Sequence, residues 1–236
     1  MSENLNENLH AKHRQRVRDE FFARGFSDDT PDHKILEMLL FFSIPRIDTN
    51  KLAHILINNF GSFSKVLDAS PEELMKVKGI GENSAALIKL MIPVIRAYTN
   101  DKLSRQKKFE DMDEIGSYIE HKYLGFTNEV FAVTSLDNRG CPIKFDIVSE
   151  GDLESVAVST RTVIETVIKR GATAVVLSHN HPGGQAVPST ADIKTTETLC
   201  TALNNINVKV LDHIILCDDD YVSLALSQSY RHLFDV

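Results

Sequence analysis

A chain of 236 residues is longer than a single hydrophobic core usually requires, so two small domains are expected. Hydrophobic residues at 42% and charged residues at 25% exclude a disordered chain, and no apolar run approaches the ~18–20 residues of a membrane span. The net charge of −7 divides unevenly. Residues 1–110 carry 17 Lys+Arg against 15 Asp+Glu, and residues 111–236 carry 9 against 18, so a nucleic-acid contact is expected only in the first half.

The N-terminus, MSENLNENLH, lacks the basic and apolar segments of a secretory signal. Cys141, Cys200 and Cys217 are odd in number, widely spaced and without a CxxC, which argues against a disulfide framework and for a reducing, cytoplasmic setting. The first half then reads as helices. Leu9 to Arg24 ends at Gly25, and Asp32 is placed to cap His33 to Phe42, closed by Pro45. Asp48 or Thr49 caps Lys51 to Asn59, and Gly61 ends that helix. Ser62 to Ala69 is a short helix, and Ser70-Pro71-Glu72-Glu73 carries a helix-start signature. The turn Lys78-Gly79-Ile80-Gly81 leads into a helix from Glu82 to about Tyr98, with Pro93 late inside it.

Residues 99–109 are polar, charged and without periodicity, and read as a linker. Beyond them strands and helices mix. Phe131 to Leu136 and Ile143 to Val148 are strands around the turn Asp137-Asn138-Arg139-Gly140, and Val156 to Arg170 is a helix. Ala172 to Ser178 is a short buried strand, Ser189 to Asn204 a helix, and Val208–Cys217 with Tyr221–Leu226 a closing hairpin. An all-helical domain over 1–98, the linker, and an α/β domain over 110–236 follow.

The chemistry concentrates between Ser178 and Asp192. His179 and His181 stand at i, i+2 at the end of a buried strand, so alternation points both rings the same way, a spacing that suits two imidazoles on one zinc ion. Pro182-Gly183-Gly184 releases the chain into a loop, and Ser189 opens a helix that carries Asp192 back toward the histidines. Two His and one carboxylate is the ligand set of a catalytic zinc. With 9 His in the chain, a His-x-His alone arises by chance about one time in three, and the full set with Ser189 and Asp192 only about two times in a thousand. Purely structural readings stand beside this one: two satisfied histidines at a strand end, and a Ser-x-x-Asp helix cap. His213, in strand context, reads as a buried core histidine or as a partner that steadies a ligand.

His179, His181, Ser189 and Asp192 match the JAMM motif, His-x-His-x7-Ser-x-x-Asp, of JAB/MPN-type zinc metalloproteases. Asn128-Glu129-Val130-Phe131-Ala132-Val133 resembles that family's upstream glutamate before an apolar strand, so the resemblance nominates Glu129 as the catalytic carboxylate, with Glu150 and Glu165 as competitors. More closely, residues 10–230 resemble the bacterial RadC family, through His-Asn-His-Pro, Val210 to Ile215, Tyr221-Val222-Ser223 and Gly79-Ile80-Gly81. The chain departs from that pattern at Gly183, where serine is usual, and at Val158-Ser159-Thr160-Arg161, where His-Pro-Arg is more usual.

The resemblance implies an α+β fold, with a helix-hairpin-helix domain followed by a JAB/MPN-like (cytidine-deaminase-like) domain around a mixed sheet. It implies zinc on His179, His181 and Asp192, Glu129 moving a proton between water and the leaving amine, and Ser189 stabilising the oxyanion. The substrate class is then a peptide or protein with an amide or isopeptide bond. The turn Lys78, Gly79, Ile80, Gly81, with Lys76 and Lys89 nearby, is the expected DNA contact. The competing reading is a non-catalytic DNA-binding accessory protein in repair, its zinc structural. Neither the substrate nor the oligomeric state is legible.

Overall fold

The computed structural model describes residues 2–45, 48–103, 108–151, 158–217 and 220–235. The chain divides into two compact units, Met1–Ile95 and Arg96–Val236. Among the described residues no helix is long and apolar enough to cross a membrane.

The first unit is helical: α1 (Ser2–Arg24), α2 (Asp32–Leu40), α3 (Thr49–Phe60), α4 (Phe63–Asp68) and α5 (Pro71–Met75), followed by α6 (Glu82–Leu103). Local signals set most boundaries. The Asp48 side chain accepts from the amides of Asn50 and Lys51 at the start of α3, and Gly61 ends that helix in the left-handed region at φ 94°. Ser70 and Glu73 form a capping box at α5. Asp32 is not a cap: Pro31 takes that position without a side-chain hydrogen bond, and Asp32 sits in the first turn, where the helix dipole favours its charge. Leu36, Leu40, Leu56, Leu74 and Ile88 are fully buried in one cluster. Helix α6 continues through Pro93 to Leu103, so residues 99–103, read as linker from their polarity, are helical. Residues 104–107 of that linker lie outside the described residues.

The second unit begins within α6, and its next helix, α7 (Met112–Tyr123), is one the sequence reading does not anticipate. Strands β1 (Val130–Leu136) and β2 (Pro142–Glu150), helix α8 (Thr160–Arg170), strand β3 (Ala174–Asn180), helix α9 (Thr190–Asn204) and strands β4 (Lys209–Cys217) and β5 (Asp220–Ser223) follow, with a short 3-10 turn at Arg231–Phe234. The sheet order is β2-β1-β3-β4-β5. Strand β1 is antiparallel to β2 and β3, β3 is parallel to β4, and β4 is antiparallel to β5, so the sheet is mixed and the fold is α+β. Residues 152–157, at the expected start of α8, and 218–219, in the acidic turn, lie outside the described residues.

Every residue of β1 is buried, because helices cover both faces of the sheet. Phe131 and Val133, with Val175 and Leu177 of β3, pack against Val163 and Val167 of α8 and Leu199 and Leu203 of α9. Val130, Ala132 and Leu136, with Val176 of β3, pack on the other face against Ile115, Tyr118 and Ile119 of α7. Strand alternation therefore assigns odd-numbered positions of β3 to the α9 side and even-numbered ones to the α7 side.

Candidate metal centre

His179 continues the Val175, Leu177 series and faces α9, and His181 follows just past the strand end. Asp192 lies in the first turn of α9, which begins at a capping box: the Ser189 hydroxyl accepts from the Asp192 amide at 3.2 Å, and the Asp192 carboxylate accepts from the Ser189 amide at 2.7 Å. The cap and the strand together bring three ligand atoms within 4.8 Å of one another. His179 Nε2 and His181 Nε2 are 2.9 Å apart, and they stand 3.2 and 3.6 Å from the two Asp192 oxygens. Burial alone would raise the Asp192 pKa. The two Ser189 hydrogen bonds act in the opposite direction and lower it.

Hydrogen-bond direction assigns the tautomers. Thr196, one turn into α9 from Asp192, donates its hydroxyl proton to the Asp192 carbonyl oxygen at 2.7 Å. The same oxygen lies 2.6 Å from His213 Nδ1 and must there be the acceptor. His213 is fully buried, and burial, reinforced by His179, holds it neutral, well below the ordinary histidine pKa. With its proton on Nδ1, His213 offers a lone pair at Nε2, so His179 donates to it from Nδ1 across 2.8 Å. His181 Nδ1 donates to the Gln185 carbonyl at 3.2 Å. Both Nε2 atoms are then lone pairs, turned toward each other and toward a carboxylate. Acceptors repel at such distances unless a cation lies among them. Tetrahedral zinc with ligands at ~2.0–2.1 Å separates neighbouring ligand atoms by about 3.3 Å, close to the observed spacings. The residues fit zinc.

Glu129 immediately precedes β1, whose residue Phe131 is opposite His179. Asn180, between the two histidines, points to the α7 side and grips the backbone on either side of Glu129. Its Oδ1 accepts from the Val130 amide at 2.7 Å, and its Nδ2 donates to the Asn128 carbonyl at 3.0 Å. The Glu129 carbonyl accepts from the Gly151 amide at 2.9 Å, which ties it to the end of β2. Of the competing carboxylates, Glu150 is opposite Val130 at that strand end, and Glu165 makes an exposed pair with Arg161 four residues earlier on α8. The roles of Asn180 and Thr196 are not legible in the sequence. Each depends on strands or helices meeting across 17 to 52 residues.

The two departures from the family pattern have local explanations. Gly183 adopts φ +69°, a conformation costly for serine, although a Cβ there would meet nothing within 4 Å. Ser159 caps α8 by accepting from the Thr162 amide.

In the first unit, Lys78, Gly79, Ile80 and Gly81 form the connection between α5 and α6, with Gly79 at φ +106°. The Ile80 side chain is buried in the helical core. Lys89 donates to the carbonyls of Leu67 and Asp68 at the end of α4, while Lys76 and Lys78 face solvent.

Comparison with known proteins agrees with this layout. A family model described as a RadC-like JAB domain matches residues 109–229. A UPF0758 protein of Fusobacterium nucleatum is 33% identical over 219 residues, covering 89% of this chain and 94% of the relative. A UPF0758 protein of Shewanella pealeana is 34% identical over 194 residues, covering 82% and 86%.

Proposed function

Since the chain belongs to the RadC family and carries a JAB-type domain, we propose that it is a zinc-dependent hydrolase of peptide or isopeptide bonds. One observation carries this reading: two imidazoles, each with its Nδ1 committed to a hydrogen bond, present their Nε2 lone pairs and the Asp192 carboxylate to one point. When bound there by His179, His181 and Asp192, zinc supplies Lewis acidity that brings the pKa of water toward ~7.

The chain's own groups do the rest. Glu129, steadied by Asn180 at the edge of the site, accepts the proton of the attacking water and returns it to the departing amine nitrogen as the C–N bond breaks. The Ser189 hydroxyl uses a lone pair for the Asp192 amide, so its own proton is available to the oxyanion that develops on the scissile carbonyl. The His213–Thr196 relay keeps His179 from presenting a proton where a ligand lone pair is required.

The test combines metal analysis with peptide hydrolysis. The purified chain should hold one zinc and cleave members of a labelled peptide or isopeptide library. Glu129→Gln should keep the zinc and lose turnover. A parent chain that takes up no zinc refutes the reading, and undiminished hydrolysis by Glu129→Gln removes that residue as the base.

A further inference from the structure

Among the described residues, strand β2 pairs with β1 and with no other strand, so it forms one edge of the five-stranded sheet. It is nine residues long, and an edge of that length offers a row of backbone donors and acceptors to an extended chain. The pairing with β1 shifts register between Phe131 and Ala132 and again between Ser135 and Leu136, and the stretch between the two shifts is regular. There Lys144, Phe145, Asp146 and Ile147 are opposite Ser135, Thr134, Val133 and Ala132. Alternation puts Phe145 and Ile147 on the α7 side, with Ile143 two residues earlier in the same series, and Lys144 and Asp146 on the α8 side. Arg170 of α8 reaches Asp146 from that side through hydrogen bonds of 2.5 and 2.8 Å. Ile143 and Ile147 remain 41% and 44% exposed, and Lys144 is exposed as well.

The run Ile143-Lys144-Phe145-Asp146-Ile147 is its own complement under a two-fold axis. In an antiparallel pairing of two copies about Phe145, Ile143 of each copy is opposite Ile147 of the other, and the two Phe145 residues meet. The exposed isoleucines then cover each other on one face of the joined sheet. On the other face Lys144 of each copy is opposite Asp146 of the other, and a carboxylate that binds Arg170 through one hydrogen bond per oxygen still has lone pairs to offer. An axis perpendicular to the sheet keeps like faces together, so the neighbouring registers are those about Lys144 and about Asp146. The first sets lysine against lysine and the second aspartate against aspartate, and like charges directly opposite repel. Charges on an edge strand ordinarily deter pairing; here they admit one register and reject its neighbours.

We infer that the β2 edge is an interface between two copies of this chain, paired antiparallel about Phe145 so that their sheets become one. It involves neither the JAMM residues nor Glu129, and it stands whether or not the metal centre is catalytic. The paired stretch is short, so the buried area falls at the small end of specific interfaces and association depends on concentration. An extended segment of another protein would gain the same backbone hydrogen bonds without the reciprocal Lys144–Asp146 pairs, and is the alternative occupant that the experiment distinguishes.

Light scattering of the full chain during size-exclusion chromatography tests the interface. Between about 5 and about 200 μM the mass should rise from 26.5 kDa toward twice that value. Lys144→Asp sets a second acid against Asp146 and should weaken association at least about ten-fold, with the far-UV circular dichroism unchanged. Cysteine cross-linking in a Cys141→Ser background reads the register. An equimolar mixture of Ile143→Cys and Ile147→Cys chains should yield a disulfide-linked dimer under mild oxidation. Neither chain should do so alone, because identical positions then lie about 13 Å apart along the paired strands, beyond the reach of a disulfide. A mass that stays at 26.5 kDa at about 200 μM would leave the edge to another protein's segment and overturn the assignment. So would parental association in Lys144→Asp, or cross-linking of either cysteine chain alone at the level of the mixture.

Discussion

Thr196→Val probes the tautomer relay with a change of almost no volume. In the parent, the Thr196 oxygen can only accept from His213, because its proton goes to the Asp192 carbonyl. Valine removes that acceptor. His213 then gains by moving its proton to Nε2, where His179 Nδ1 at 2.8 Å accepts it. His179 must carry its own proton on Nε2, 3.2 Å from an Asp192 oxygen. Zinc can bind only by reversing both shifts, which leaves a buried His213 N–H facing a methyl group. An unsatisfied buried donor costs about 1–3 kcal/mol. At about 1.4 kcal/mol per factor of ten, zinc affinity should fall about 5- to 150-fold. Competition against a chromophoric chelator at neutral pH measures this directly, and Thr196→Ser, which keeps the hydroxyl, should recover most of the loss. Affinity in Thr196→Val within two-fold of the parent would refute the relay.

Three further outcomes follow from the same structure. Asn180→Ala removes both hydrogen bonds that bracket Glu129, so turnover in the peptide assay should drop about 10- to 100-fold while zinc remains bound; an unchanged rate would separate Asn180 from the reaction. Gly116→Ala places a Cβ 2.5 Å from the Tyr221 hydroxyl and 2.6 Å from its ring carbon, so chemical denaturation should show a loss of about 1–3 kcal/mol. Asp212 is fully buried, and burial raises its pKa despite hydrogen bonds from Ser223, Ala225 and His213. A carboxyl raised in the folded state stabilises most below its unfolded pKa and loses that contribution as pH rises through the folded value. The melting temperature of Asp212→Asn minus that of the parent should therefore increase from pH 3 to pH 7, and a flat difference would contradict the assignment.

What the sequence reveals and what it hides divide along one physical line. Caps are interactions over three or four residues, so Asp48, Ser70 and Ser189 announce their helices. The metal ligands are legible because two come from one strand end and the third, Asp192, lies eleven residues after His181 in the first turn of a helix. Helix α7 is missed even though Ile115, Ile119 and Tyr123 repeat at helical spacing behind the Asp111 cap, because its polar residues resemble the charged stretch before it. The linker reading begins too early for the converse reason. Polarity alone does not separate a helical turn from a loop, and 99–103 is a polar turn of helix. The His213–Thr196 contact and the Asn180 grip on residues 128 and 130 arise only when distant segments pack, and no local pattern encodes them.

The start of α9 has a wider implication for reading related chains. Ser189 and Asp192 complete each other's hydrogen bonds whether or not an ion is present. A descendant that had abandoned hydrolysis would still need both to begin that helix, and selection for stability would preserve them. Half of the four-letter signature therefore testifies to folding as much as to chemistry. The histidine pair and the carboxylate ahead of the first strand are the positions whose erosion would betray a retired enzyme.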